Sequence, residues 1–419
     1  MPNFLDLFAG AGGLSEGFIQ AGYTPLAHIE MDAAACYTLR TRAAYHWLKR
    51  NNDLDTYMRY LQDGISREDF YNHIPKYILD AVLNYEINEN NLPEIFEKVD
   101  ALLNEQHQLD LIIGGPPCQA YSLVGRARSD NSMMGDQRNY LYKLYAEFLK
   151  RYRPKYFVFE NVVGLISAKD RDGSCHFSNM QDLFRSCGYS VKYSVLNAKD
   201  YGVLQNRKRI ILIGKLGNSD FGYPVIPKVY YPDVIVSEIF QDLPVLHAGE
   251  GTYKPVRTRH YTGRYLYDMK IKEFDQETVS FHIARPHTEQ DLKIYELVVK
   301  MWNQEQKRIE YPSLPKSLRT HRNVTAFLDR FKVVAGELPY SQTVVAHIAK
   351  DGHYYIHPDL EQNRSLTPRE AARLQTFPDN YYFESKLGIP GRTQAYKQIG
   401  NAVPVRLAYA VAKSLLDVL

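Results

Sequence analysis

Cysteine is scarce, with four in 419 residues and no CxxC pair among them, which excludes a disulfide scaffold and a Cys-rich zinc site. No metal site is expected. No uninterrupted apolar stretch approaches the roughly 20 residues of a membrane span, so no membrane partner is expected. The apolar start meets Asp6 almost at once, which argues against a secretory leader and for a soluble, cytosolic protein. A large excess of either charge is also missing: 51 basic residues face 48 acidic ones, a net of +3. Any binding of nucleic acid must therefore come from local patches and not from the field of the whole molecule. What is present is 45% apolar and 24% charged, the balance of a globular chain with a sizeable core. Tyrosine is abundant at 33, suited both to packing and to polar binding surfaces. The length fits a catalytic domain carrying a second, smaller one.

The first 215 residues alternate between strand and helix patterns. Asn3 to Phe8 is a short apolar run, followed by the glycine-rich Ala9 to Gly13 and a helical stretch from Leu14 to Ala21 that Gly22 ends. Strands are predicted at Pro25 to Ile29, Leu109 to Ile113 and Lys155 to Phe159, with a helix through Leu141, Leu144, Tyr145, Phe148 and Leu149 before Pro154. This rhythm predicts an α/β fold with a doubly wound sheet and ligands at the carboxyl ends of its strands. It fails after about Lys215, where Pro and Tyr become frequent, so residues 219–350 are expected to form a separate irregular domain without internal repeats. Residues 351–395 then hold a hinge and a helix opened by Thr367-Pro368-Arg369-Glu370, a capping box with Pro at the first helical position. A last helix from near Pro404 (Val405, Ala408, Val411, Leu415) returns the chain to the first domain, giving 1–218 completed by 396–419. A helical, amphipathic insertion sits between Asp32 and Asp110 and suggests no chemistry.

Five features could carry chemistry. Glycines in Phe8-Ala9-Gly10-Ala11-Gly12-Gly13 let a ligand approach the backbone at a helix N-terminus, and Glu30 closes the next strand, where a carboxylate can take both ribose hydroxyls. Position 15 is Ser, so a dinucleotide fingerprint is broken and a nucleoside cofactor without pyrophosphate fits better than NAD; a tight turn without a ligand is the alternative. Cys118 follows two prolines at a strand end, which aim its thiol outward, whereas Cys36 and Cys187 lie on apolar helical stripes as core residues. Glu160 ends a strand at the same sheet edge as Cys118 and could serve as an acid, or as a capping or ion-paired Glu. Gln205, Arg207 and Arg209 share one strand face, which suits an anion or a base edge, or a solvated edge strand. The polar loop from Gln119 to Arg138, with Arg126, Arg128 and Arg138, is a candidate lid.

Taken in order, these segments resemble the DNA (cytosine-5)-methyltransferase family. The matching stretches are Asp6 to Gly13, Glu30-Met31-Asp32, Gly115-Pro116-Pro117-Cys118-Gln119, Glu160-Asn161-Val162, Gln205 to Arg209, Arg364 to Leu374, and Gly400-Asn401-Ala402-Val403-Pro404. Together they span nearly the whole chain and are far more specific than any one alone.

The resemblance implies a Rossmann-like methyltransferase sheet and an S-adenosyl-L-methionine site formed by Phe8, Gly10, Ala11, Gly13, Glu30, Met31, Pro117, Leu141, Asn401 and Val403. It implies that Cys118 is the nucleophile, that Glu160 partners a flipped cytosine, and that Arg207 and Arg209 brace the base and the thiol in an unassigned order. Gln119, Ser122, Arg126 and Gln205 would meet double-stranded DNA, and residues 219–350 would be the target-recognition domain, with Arg257, Arg259, Arg264, Arg319 and Arg322 as phosphate or guanine contacts and Thr343-Val344 as a short recognition-domain element. An acidic residue after a third strand should read the adenine; Asp63 and Asp100 compete, with Asp63 preferred. A monomeric bacterial or phage modification enzyme, with a companion restriction endonuclease acting separately, is the implied setting. An RNA methyltransferase of the same fold, a non-catalytic paralogue and an oxidoreductase are the rivals. The long region 219–350, the presence of both Cys118 and Glu160, and Ser15 weigh against them in turn.

Overall fold

The structure is a computed structural model that describes residues 1–103, 108–117, 140–170, 173–217, 221–319, 328–416 and 418. Seven strands form its central sheet: β1 (Asn3–Leu7), β2 (Thr24–Glu30), β3 (Val82–Asn84), β4 (Leu111–Gly114), β5 (Tyr156–Asn161), β6 (Tyr189–Asn197) and β7 (Lys208–Leu216). Their order is β3-β2-β1-β4-β5-β7-β6, and every pairing is parallel except those of β7, which runs antiparallel to both β5 and β6. The reversal of order at β1 and β4 opens the crevice in which an α/β sheet binds its ligands. Because β7 is antiparallel, the residues that precede it stand at the same edge as the carboxyl ends of β1, β4 and β5.

Side chains alternate along the strands and fill two layers, as a sheet covered on both faces requires. Leu5, Ile112, Phe157 and Phe159 pack on one side against helices Leu92–Leu103, Leu141–Tyr152 and His176–Ser186. Phe4, Leu111, Ile113, Val158 and Ile213 pack on the other, against helix α1 (Gly13–Gln20) and the C-terminal helix Val405–Leu416. Gly17 of α1 lies against Val405, Ala408 and Tyr409 with no room for a Cβ, so the two helices touch backbone to backbone.

Among the described residues beyond β7 the ladders are two residues long, Gly251–Thr252 with His282–Ile283 and Val256–Arg257 with Thr278–Val279. The region is less irregular than expected. It holds a helix over Glu289–Glu305 whose capping box pairs Thr288 with Asp291, and whose Tyr295, Val298 and Val299 pack on Tyr311, Phe331 and Ile356. The capping box predicted at Thr367 is present, with Glu370 at the third helical position and Pro368 at the first. A larger apolar cluster joins helix α2 (Ala33–Arg50), the insertion, this region and residues 366–405 into one body.

Three buried histidines and one half-buried one make this part of the molecule acid-sensitive. Burial, with Arg364 nearby, lowers His357 to about 3; burial, with Arg285 nearby, lowers His287 to about 4, and His282 and His353 are also lowered. An unfolded chain takes up these protons near pH 6.5, so it binds more protons than the native state between that value and the depressed ones. Stability is then complete above pH 6.5 and falls below it, by about 1.4 kcal/mol per pH unit for each group fully titrating only when unfolded. Urea midpoints measured from pH 7.5 to 4.5 should fall steadily, and a flat profile would contradict the burial of these rings.

Candidate active site

The loop from β1 to α1 turns through three left-handed residues, Phe8 (φ 58°), Gly10 (φ 55°) and Gly12 (φ 79°). A Cβ on Gly10 would meet nothing within 4 Å, so the space beside it is open, whereas one on Gly13 would lie 2.5 Å from the Val403 carbonyl oxygen. The loop is thus free on its outer side and pressed against the returning C-terminal segment on its inner side. Glu30 closes β2, and its carboxylate accepts hydrogen bonds from the Gly10 and Asp32 amides, both at 2.8 Å. Burial pushes its pKa above the ordinary glutamate value. The neighbouring Met31 is 60% exposed, and Asn84 at the end of β3 donates to the carbonyls of Glu30 and Met31.

Glu160 lies within β5, nearly buried, and Arg209 Nε is 2.8 Å from its Oε1. Its other oxygen would be 2.6 Å from a Cβ on Gly115, so only glycine lets the carboxylate lie across the chain just ahead of Pro116 and Pro117. Asn161 donates to the Pro116 carbonyl at 3.3 Å, tying this turn to β5. Cys118 follows directly; it lies outside the described residues, as do Gln119, Ser122, Arg126, Arg128, Arg138 and Arg322.

The expected grouping of Gln205, Arg207 and Arg209 divides by depth. Arg209 reaches the carboxylate. Arg207 is buried, and its guanidinium donates to the carbonyls of Val344 (2.5 Å) and Ala402 (2.8 Å). Gln205 is 0% exposed: its amide donates to the Leu374 carbonyl and Gln375 and accepts from Val344 N. The expectation that Gln205 meets DNA is corrected accordingly, because its donors and acceptor are spent inside the protein. Thr343 and Val344 are clipped to this same segment, since Thr343 also donates to the Asn206 carbonyl at 2.6 Å.

The two acidic candidates for the adenine are also corrected. Asp63 sits in a loop between insertion helices and pairs with Lys254 at 2.9 Å, and Asp100 pairs with Arg151 and Tyr152 on the helical layer. Neither follows a strand. The third strand is Val82–Asn84, in register with Glu30, and the first carboxylate beyond it is the exposed Glu86. A three-residue strand inside an insertion gives too short a pattern to find from sequence. Phe8 and Leu141 are half-buried at the edge of the loop and at a helix start, Asn401 is exposed at the end of helix Arg392–Asn401, and Val403 is buried beside Gly13. Tyr381 was missed altogether: its hydroxyl donates to the Ala11 carbonyl at 2.6 Å from 370 residues away, with no local signal to reveal it.

A mostly parallel sheet with this strand order, a glycine loop and a carboxylate at adjacent strand ends define a Rossmann-like methyltransferase. Residues 2–58 and 74–417 match the family described as C-5 cytosine-specific DNA methylase, and the chain belongs to that family. It is 39% identical over 449 residues to the Type II methyltransferase M.Bpa9945I of Bacillus paralicheniformis, covering 99% of this chain and 98% of the other. It is 29% identical to the Type II methyltransferase M.DdeI of Desulfomicrobium norvegicum, covering 99% and 88%. The fold is similar to the Entamoeba histolytica methyltransferase EhMeth, with TM-score 0.55 at 14% identity over 100% and 98% of the two chains. The chain is therefore a C-5 cytosine-specific DNA methyltransferase.

Proposed function

We propose that the enzyme transfers a methyl group from S-adenosyl-L-methionine to carbon 5 of a cytosine flipped out of a specific duplex DNA site, through a covalent Cys118 adduct. The observation that carries this is the Glu160 carboxylate, gripped by Arg209 across Gly115, on the sheet edge that also bears the Glu30 loop. The donor set fits the cofactor: an open face at Gly10, a half-buried carboxylate for two hydroxyls, and apolar Phe8, Met31 and Val403 at the same strand ends. Ala11, Gly13, Pro117, Leu141 and Asn401 complete that proposed site, and Glu86 replaces Asp63 as the carboxylate for the adenine. When bound, the cofactor supplies an electrophilic methyl group on a sulfonium sulfur.

Carbon 5 of cytosine is too weak a nucleophile to take that group unaided. The Cys118 thiolate adds to carbon 6, while Glu160 holds a proton at ring nitrogen 3, so that electron density moves to carbon 5. After methylation, a solvent base takes the carbon 5 proton and Cys118 leaves carbon 6 as its thiolate, which restores the aromatic ring. Arg209 fixes the Glu160 carboxylate in place, and Arg207 ties the strand entry to Val344 and Ala402. The reacting atoms are shielded within a duplex, so extrusion of the nucleotide is required, at a cost of a few kcal/mol. Residues 1–218 with 396–419 form the catalytic part, 351–395 its connection, and 219–350 the part that reads the site, with Gln119, Ser122 and Arg126 meeting DNA from the catalytic side. The relatives' Type II names support a place in a restriction-modification system; a separately acting endonuclease, a cytoplasmic location and a monomeric state complete the proposal. Among the described residues no helix is long and apolar enough to cross a membrane.

The cofactor assignment is tested by titration calorimetry. Glu30→Ala should weaken S-adenosylmethionine binding roughly 10- to 100-fold, the loss of charge-assisted bonds to two hydroxyls. In the wild type, affinity should fall as the pH is lowered, beginning above the usual carboxylate range, because burial raises Glu30 and its protonated form accepts less well. Unchanged affinity in the variant would place the cofactor elsewhere.

A further inference from the structure

We propose that Tyr381 is a positioning residue for the cofactor loop, and that the insertion after α2 holds Tyr381 in place. This rests on the reading of Phe8 to Gly13 as the loop that meets S-adenosylmethionine. The loop is held on one side by Glu30, which takes the Gly10 amide, and on the other by the Tyr381 hydroxyl, which donates to the Ala11 carbonyl at 2.6 Å. The same hydroxyl would lie 2.8 Å from a Cβ on Gly12, so it touches the loop at two successive residues. Ala11 is 2% exposed, and without this donor its carbonyl would be buried without the bond that now satisfies it. A loop passing through three left-handed residues has little to hold it locally, so its shape depends on such outside contacts.

Tyr381 is itself fixed from behind. Its ring packs on Phe377 and Phe383 and lies under the Arg42 guanidinium at 4.8 Å. Burial pushes the hydroxyl well above the ordinary tyrosine range, so it remains a donor throughout the working pH. Arg42 joins Glu16 of α1 at 2.6 Å and the Asn380 side chain at 2.8 Å, binding the first turn of α1 to the residue before Tyr381. The Asn380 amide donates to Tyr45 (2.7 Å) and Glu273 (3.1 Å).

The insertion closes the arrangement. Tyr57 donates to the Asn380 carbonyl at 2.8 Å, Tyr60 to the Glu384 carboxylate at 2.6 Å, and Arg67 to the Ser385 carbonyl at 2.7 Å. Tyr60 and Arg67 belong to residues 59–73, the stretch that the family match passes over. Part of the brace on the segment that touches the glycine loop therefore comes from residues outside the family match. Tyr381 acts through the Ala11 carbonyl and has no part in the chemistry at the base.

The test is titration of S-adenosylmethionine into the full-length wild type, Tyr381→Phe, Tyr57→Phe and Glu30→Ala, with steady-state kinetics on duplex DNA. Tyr381→Phe should bind the cofactor about five- to tenfold more weakly, the range of one buried hydrogen bond. Its kcat at saturating cofactor and its KM for DNA should stay within about twofold of wild type, the split expected when only uniform binding is lost. Tyr57→Phe should show the same split at about two- to threefold. Cofactor affinity that is unchanged in Tyr381→Phe, or lost in proportion with kcat and DNA affinity, overturns the proposal. Should Tyr381→Phe fail to fold, Tyr57→Phe decides on the same criteria. If Glu30→Ala weakens binding and Tyr381→Phe does not, only the positioning role fails. If neither does, the loop is not the cofactor site.

Discussion

A Cys118→Ala variant should incorporate no measurable methyl label into unmethylated duplex DNA while still binding S-adenosylmethionine. On the proposed mechanism the other groups named at the site orient or polarise the base, and carbon 5 stays unreactive until a nucleophile adds at carbon 6. The expected loss is roughly 10⁴-fold or more, the scale seen when a nucleophile is removed and its surroundings remain. Glu160→Gln is the informative companion, because it keeps the shape over Gly115 while removing the carboxylate that Arg209 grips. Methyl incorporation by Cys118→Ala at a rate near wild type would sink the covalent mechanism. Incorporation by the wild type into transfer RNA in preference to duplex DNA would redirect the substrate proposed here.

Arg373→Ala should cost about 3–5 kcal/mol of stability, the effect of removing one partner from a buried ionic group. Arg373 is 0% exposed and binds two carboxylates, Asp242 at 2.6 Å and Asp379 at 2.6 Å, while Lys272 approaches Asp242 at 2.8 Å. Burial pushes Asp242 up, and Arg373 and Lys272 more than offset it, leaving its pKa lowered. Without the guanidinium, the cation left among the described residues would be Arg369, at 3.9 Å, for Asp379 and Lys272 for Asp242. Urea unfolding of the two proteins at neutral pH measures the difference; a loss below about 1 kcal/mol would mean that solvent reaches these carboxylates.

The elements most legible in the sequence were those whose signals are local and repeated. β1, the glycine loop, β2 ending at Glu30, β5 holding Glu160 and the capped helix at Thr367 all lie where their patterns place them, within a residue or two. Cys36 and Cys187 are buried, as their apolar stripes implied. What escaped was set by contacts distant in the chain. β3 is three residues long and is stabilised by its neighbour β2, so neither it nor the residue following it could be found, and Asp63 was preferred in error. The period of two that grouped Gln205 with Arg207 and Arg209 gave the side chains' direction but not their depth, which Val344, Leu374 and Ala402 determine from far along the chain. The helix Glu289–Glu305 was hidden in a Pro- and Tyr-rich region whose composition suggested irregularity. For Tyr381 there was no signal at all.

The close seating of α1 on the C-terminal helix also sets a timetable for the enzyme during its own synthesis. Tyr23, just past α1, donates to the Ala412 carbonyl 389 residues later, and the backbone of Val403 packs against Gly13 only once that segment is made. At about 5–20 residues per second, the ribosome would place roughly 20–80 s between the glycine loop and the helix that covers it. Over that interval the first strand and its loop are present with one face bare, and the pocket they border is incomplete. A nascent chain of this kind cannot complete that pocket until the helix Val405–Leu416 has been made.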